Sequence, residues 1–283
     1  MRNIFLILLM TLILGLSAYS QSEVFQSDKL EKIWEAKGLL VPESVLPVPE
    51  KGIMYVSNIG DHESKEKTGF ISILDFDGKI KTLEWSEKLK APKGMAINEG
   101  KLYVTEVDHI TEIELSNGKV LNSYPVEGAV FLNDVAVGKN GVIYFTDSKT
   151  GTIYSLSEGK INVLVKDENY KFLNGIITVG NKVIFGTDGN VLKIDTETKE
   201  ITECLANTGG VDGLSMIDKG YFIFSDWAGK VHIMTEGEEK ELLLDTSETE
   251  KTKSADFGFV PEQDLILIPT FFDNSVVCYK LKR

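Results

Sequence analysis

Arginine is almost missing from this sequence of 283 residues, occurring only at positions 2 and 283. The body of the chain therefore has no guanidinium fork for bidentate grip on a carboxylate or phosphate, which argues against a substrate held by its acid groups. Basic residues are scarce overall: 30 Lys plus Arg face 43 Asp plus Glu, for a net charge of −13. Such a surface repels nucleic-acid backbones and anionic lipid, so a nucleic-acid partner is not expected. Only two cysteines, Cys204 and Cys278, are present, too few for a disulfide framework, and they read as buried free thiols. Proline, at seven residues, is too rare for a collagen-like or polyproline chain. No helical 3.6-residue period is visible after residue 20, and there is no Gly-x-Ser-x-Gly elbow, cysteine-nucleophile motif or phosphate loop. The one long apolar run, residues 4–16, is broken by Thr11 and Gly15 and falls short of the ~20 residues that a membrane-spanning helix needs.

What is there begins with that run. It follows Arg2 and precedes Ala18-Tyr19-Ser20, the pattern of a secretory signal peptide over residues 1–20 with cleavage ahead of Gln21. No cysteine follows it to carry a lipid. The expectation is an exported protein, periplasmic or extracellular, with no transmembrane anchor once the signal is removed. With 42% hydrophobic residues and 25 glycines the sequence has the balance of a folded protein, and residues 21–283 are expected to form a single domain that acts as a monomer.

A four-residue phrase recurs six times: Pro42-Glu43-Ser44-Val45, Pro92-Lys93-Gly94-Met95, Leu132-Asn133-Asp134-Val135, Leu173-Asn174-Gly175-Ile176, Val211-Asp212-Gly213-Leu214 and Ser254-Ala255-Asp256-Phe257. The second residues lie 50, 40, 41, 38 and 43 positions apart. After each phrase come an apolar stretch, a polar turn and a strand rich in aromatic and β-branched residues, at 53–57, 101–105, 142–146, 183–187, 221–225 and 265–270. Four short strands every ~40 residues, six times over, predict an all-β, six-bladed propeller. Only three strands follow the sixth phrase, near 257–260, 265–270 and 275–281, so one blade lacks its outer strand. The alternating segment 29–35 is expected to fill that edge, pair with 275–281 and close the ring. The extra length of the first repeat falls at 58–68, read as a longer loop.

In a propeller the second residue of each phrase stands at one mouth of the central channel. In order these are Glu43, Lys93, Asn133, Asn174, Asp212 and Ala255. Two carboxylates and two carboxamides make an oxygen-rich, sulfur-free and histidine-free set, suited to a hard cation of the Ca²⁺ type rather than zinc. Without a cation, two carboxylates in a narrow channel repel each other and lose hydration. The competing reading is that Asn-Gly, Asp-Gly and Asn-Asp are turn pairs that only feed the inner strands. Lys93 stands out in the oxygen column; it either donates to a substrate oxygen or extends to solvent.

With four of these phrases in order and each followed by its strand, residues 38–283 resemble the senescence marker protein, gluconolactonase and luciferin-regenerating enzyme family. They are also similar to the related six-bladed paraoxonases and diisopropyl fluorophosphatase. The resemblance implies one Ca²⁺ in the channel and hydrolysis of a lactone or ester at that ion. By position it implies Glu43, Asn174 and Asp212 as ligands and Asn133 as a fourth ligand or substrate contact. Sugar-lactonase members usually carry arginine near the Asn-Asp motif, whereas Ala129, Val130, Phe131 and Leu132 stand there in this chain. That departure disfavours a sugar-acid lactone.

Two catalytic assignments follow: Asp212 as nucleophile or base at the metal edge, and His109, in a short turn on the mouth face, as an alternative general base. Asn133 and Lys93 are the candidate substrate contacts. His62 shares that face on a longer loop, and His232, mid-strand, reads as structural. The turn residues Asn58, Glu106, Asp147, Asp188, Asp226 and Asp273 are expected to cap their own turns. The rival to a Ca²⁺-dependent lactonase or esterase is a non-catalytic propeller that binds a peptide, glycan or protein partner in the envelope, and the fold alone does not separate the two.

Overall fold

Why each strand is apolar along its whole length is visible in Tyr221–Ser225. Its side chains alternate, so Phe222 and Phe224 enter one hydrophobic cluster and Ile223 the cluster on the other face. Every blade is covered on both faces by its neighbours, and the core accordingly holds six main clusters, one between each adjacent pair of blades, besides a seventh, smaller one. The computed structural model describes residues 24–61, 64, 66–249 and 252–282. The signal segment 1–20 and His62 lie outside the described residues.

Six antiparallel sheets form the expected six-bladed propeller. Their innermost strands are Pro42–Val48, Met95–Asn98, Leu132–Val137, Ile176–Val179, Leu214–Asp218 and Gly258–Val260, each starting at or just after one of the repeated phrases. Apart from two three-residue 3-10 turns, Pro49–Lys51 and Lys139–Gly141, no helix occurs among the described residues. None is long and apolar enough to cross a membrane. Cys204 and Cys278 are both buried and free, as expected.

Closure follows the sequence expectation and extends it. The strand Leu30–Lys37 pairs antiparallel with Ser275–Leu281, from Leu30 opposite Leu281 to Lys37 opposite Ser275, and completes the sixth blade. Trp34 carries the join across to the first blade, its indole Nε1 donating to the Phe76 carbonyl at 2.7 Å. One element was not foreseen: Phe25–Gln26 pairs with the outer strand Glu241–Asp245, making the fifth blade five-stranded. Two residues are too short a run for alternation to mark a strand.

Because the closing strand supplies buried Leu30 and Ala36 to the clusters flanking the last blade, losing it exposes both an apolar face and a sheet edge. Leu30→Ala is expected to cost about 2–5 kcal/mol, and removal of residues 21–37 is expected to leave a chain that aggregates. Urea unfolding of the first and sedimentation of the second check this; a soluble, equally stable truncation would show the segment to be a dispensable tail.

Candidate active site in the central channel

The inner strands meet at the repeated phrases, and their backbones nearly touch there. An added Cβ at Gly94 would lie 2.7 Å from the Asp134 Cα, and one at Gly175 would lie 2.6 Å from the Asp212 carbonyl oxygen. Neither glycine has a positive φ. The turn-pair reading of Asn-Gly is therefore corrected: Gly175, like Gly94, is small because the next blade is close, not because the chain reverses. At this contact Gly94 N donates to Asn133 O at 3.2 Å, Gly175 N to Asp212 O at 2.8 Å and Asp256 N to Glu43 O at 3.0 Å, stitching the blades in pairs.

This packing carries Glu43, Lys93, Asn133, Asn174 and Asp212 to one level of the channel, all nine-tenths or more buried, with Ala255 completing the ring. Glu43 and Asp212 repel each other electrostatically, and Lys93 attracts Glu43. Asn174 donates its amide to one oxygen of Asp212. Asn133 donates to Ser148 Oγ at 3.1 Å. These bonds leave an oxygen over on each residue: Glu43 Oε2, Asn133 Oδ1, Asn174 Oδ1 and Asp212 Oδ2 are buried without a hydrogen-bond partner. An orphaned buried acceptor costs about 1–3 kcal/mol, and four of them at one level point to a missing positive partner.

Sequence reasoning missed a second layer. In the first and third blades the pairing register slips at the phrase, between Pro42 and Ser44 and between Leu132 and Val135. Bulges of this kind re-aim successive side chains. Asp134, buried, and Asp256, half-buried, are third in their phrases and act electrostatically on the ring; Asp134 Oδ1 also lacks a partner. The third column of the repeat, read beside the second, held that signal. Burial first, and neighbouring carboxylates second, hold Glu43 and Asp134 well above the usual carboxylate range and push Asp212 up to about 8. Burial alone raises Asp256 to about 7, against the pull of its hydrogen bond from Ser44.

Lys93 does not extend to solvent. It is 3% exposed, its ammonium 4.5 Å from the centroid of the Phe131 ring and 3.4 Å from the Ala91 carbonyl. Burial lowers its pKa, against the opposing pull of Glu43 and Glu106. Phe131 is held in turn by Asp147, which accepts from the backbone N–H of Val130 at 2.7 Å and of Phe131 at 3.3 Å. The same brace recurs: Asn58 Oδ1 accepts from Leu40 N at 2.9 Å, and Glu106 accepts from Lys90 N. In each case the residue at or just past the end of a blade's second strand holds the chain three positions before a ring residue. Asp147 and Asp226 also cap their own turns, as expected. Asp188 is exposed, and Asp273 lies 3.8 Å from Lys37.

His109 starts a third strand, and both its ring nitrogens are taken, Nε2 by Glu106 at 2.9 Å and Nδ1 by Asp108 at 2.8 Å. The bond to Glu106 is the main reason its pKa is raised, which favours the protonated ring over a free base. Burial disfavours ionised Glu106, but bonds from His109 and Thr111 outweigh it and keep the carboxylate charged. His232 is buried in a core strand with its ring stacked on Phe224 at 5.3 Å, consistent with a structural place.

Around the mouth the surface is apolar. Phe271 packs on ring residue Ala255 in a small cluster. Its ring lies 4.8 Å from that of Trp227 and 4.7 Å from that of Phe272, and the latter two are exposed, as are Val130 and Phe172.

No family model and no curated protein matches the chain by sequence. In structure it is similar to a catalytically inactive histidine-to-alanine variant of virginiamycin B lyase from Staphylococcus aureus with quinupristin. The TM-score is 0.61 and the identity 18%, covering 92% of this chain and 100% of that one. A streptogramin B lyase gives 0.63 at 16%, covering 91% and 98%. A protein to which gluconolactonase activity is provisionally ascribed gives 0.64 at 15%, covering 89% and 91%. What these share with the chain, at such identities, is the six-bladed propeller fold.

The position of His232 has a consequence for stability. Burial, the largest cause, depresses its pKa from 6.5 to about 4. Between those values the unfolded chain binds the proton that the folded chain refuses, so stability falls as pH falls through this window. Relative to His232→Phe, the wild-type chain is expected to lose about 3 kcal/mol between pH 7 and pH 4. Urea unfolding of both across that range measures the difference, and parallel curves would place the imidazole in water.

Proposed function

We propose that the chain is a hydrolase of lactone or ester bonds whose reaction centre is the oxygen ring of the central channel, with one Ca²⁺ as its resident ion. The observation that carries this reading is the set of partnerless oxygens on Glu43, Asn133, Asn174 and Asp212. The donor set fits the ion: carboxylate and carboxamide oxygens only, with no thiolate or imidazole among them. A divalent cation held there would supply Lewis-acid polarisation of a carbonyl.

The chain's own groups have distinct parts in this reading. Asn174 fixes one oxygen of Asp212, leaving the other directed into the channel to attack a carbonyl carbon or take a proton from water. Lys93, pinned beneath Phe131, offers N–H donors to a substrate oxygen on the opposite side of the ring. Ala255 interrupts the polar ring beneath Phe271 and Trp227, whose aromatic surface suits an uncharged, apolar part of the substrate. Together with the missing arginines, this favours an apolar lactone or ester over a sugar acid. The apolar mouth suits a polypeptide partner as well, which keeps the non-catalytic binding propeller as the alternative.

A lyase is the second enzymatic reading, supported by the lyases that share the fold. Loss of one histidine inactivates the staphylococcal lyase. Among the described histidines both ring nitrogens of His109 are bound to carboxylates and His232 is buried in the core, which favours Asp212 over either imidazole as the base. Export through the segment 1–20 belongs to the same proposal, and the N-terminus of the purified protein is expected at Gln21.

Asp212→Asn keeps an oxygen donor but removes the carboxylate. Turnover of aliphatic and aromatic lactones with Ca²⁺ present is expected to fall ~10² or more, while Ca²⁺ affinity falls far less. His109→Ala is expected to keep most of the activity. Full activity in Asp212→Asn with none in His109→Ala would reverse the assignment. Turnover of no lactone or ester under any metal condition would transfer the case to the binding propeller.

A further inference from the structure

Below the ring, a cavity of about 290 Å³ occupies the channel on the side away from the aromatic mouth. Its inner end is formed by the second polar layer, Asp134, Asp256 and Ser44, and its walls by Leu46, Leu214 and Phe259. Leu46 and Ser215, further along their strands, are only partly buried and mark the opening on the opposite face.

The inner end is built for a positive charge. Asp134 is 4% exposed and lines this space, and its buried Oδ1 has no hydrogen-bond partner. Asp256 accepts one bond, from Ser44 Oγ. Among the described residues neither carboxylate forms an ion pair with a lysine or histidine. Two carboxylates in such a place are costly unless a cation joins them.

The surroundings select the kind of cation. A hard divalent metal favours a full shell of oxygens, whereas the lining side chains other than the two carboxylates, Ser44 and Ser215 at the opening are apolar. A primary ammonium group has three N–H donors, enough for Asp134, Asp256 and Ser44. An alkyl arm attached to it matches the walls formed by Leu46, Leu214 and Phe259. The net charge of −13 draws such a ligand toward the protein.

We infer that this lower cavity is a second ligand site, taking a primary alkylammonium compound head-first from the face opposite the aromatic mouth. The site is independent of whether the ring above holds a metal or catalyses a reaction. It gives the propeller a separate ligand on each face.

Calorimetric titration of the full mature chain, saturated with Ca²⁺, tests the inference with three probes of equal length: hexylammonium, hexan-1-ol and hexanoate. Hexylammonium alone is expected to bind. Asp256→Asn is expected to weaken that binding at least ~10-fold, the scale of one lost charge-assisted contact. Ser215→Trp, which narrows the opening without touching the carboxylates, is expected to abolish it and keeps the test intact if the first variant does not fold. No binding of hexylammonium, equal binding of hexan-1-ol, or full binding by Ser215→Trp would each overturn the site.

Discussion

The close approach of neighbouring inner strands at the ring is the constraint on which the rest of the channel depends. At Gly94 and Gly175 there is no room for a Cβ beside the next blade. The backbone bonds made across this gap leave the side chains of the preceding residues only the channel to enter. Glu43, Asn133, Asn174 and Asp212 are thereby dehydrated together, and their spare oxygens cannot be satisfied from the protein. The same approach explains the high proton affinity of the buried carboxylates, since water is excluded and like charges face one another. A cation would answer that need, and the calcium proposed for the ring rests on it rather than on likeness of fold.

Holding dehydrated charges in place demands rigidity from outside the channel. Asn58, Glu106 and Asp147 provide it by gripping the backbone three residues ahead of Glu43, Lys93 and Asn133. Two residues ahead of the ring, Val41, Ala91 and Phe172 adopt left-handed conformations, with φ of 54°, 52° and 51°. Non-glycine residues take that region at a cost, tolerated where the surroundings over-determine the backbone. Three braces and three strained entries, repeated around one mouth, concentrate conformational strain where the proposed chemistry lies. The blade interfaces, each with its own apolar cluster, supply the stability that offsets it.

How much of this could be read from the sequence varies with the range of the interaction. The blades were legible because the repeat and the period-2 alternation are local, and the closing strand was legible because a blade three strands long announces its missing edge. The ring column was legible as a register. Its lower layer was not, because the bulges that turn Ser44 and Asp134 inward alongside Glu43 and Asn133 arise from pairing with the next strand. Burial of Lys93 was equally hidden: it depends on Phe131, forty residues' worth of blade away in sequence order but directly above it in space. The Gly residues carried an ambiguous signal, common to turns and to close packing, that only the absence of positive φ resolves. His109 was a candidate base by position, and the two carboxylates that occupy it belong to its own turn.

Metal content tests the central claim most directly. After dialysis against metal-free buffer, elemental analysis of the mature chain should find about one equivalent of calcium per molecule, as a single cage of this kind requires. The double variant Glu43→Gln, Asp212→Asn should carry none. A wild-type chain free of calcium, whose melting temperature is also unmoved by added Ca²⁺, would contradict the account.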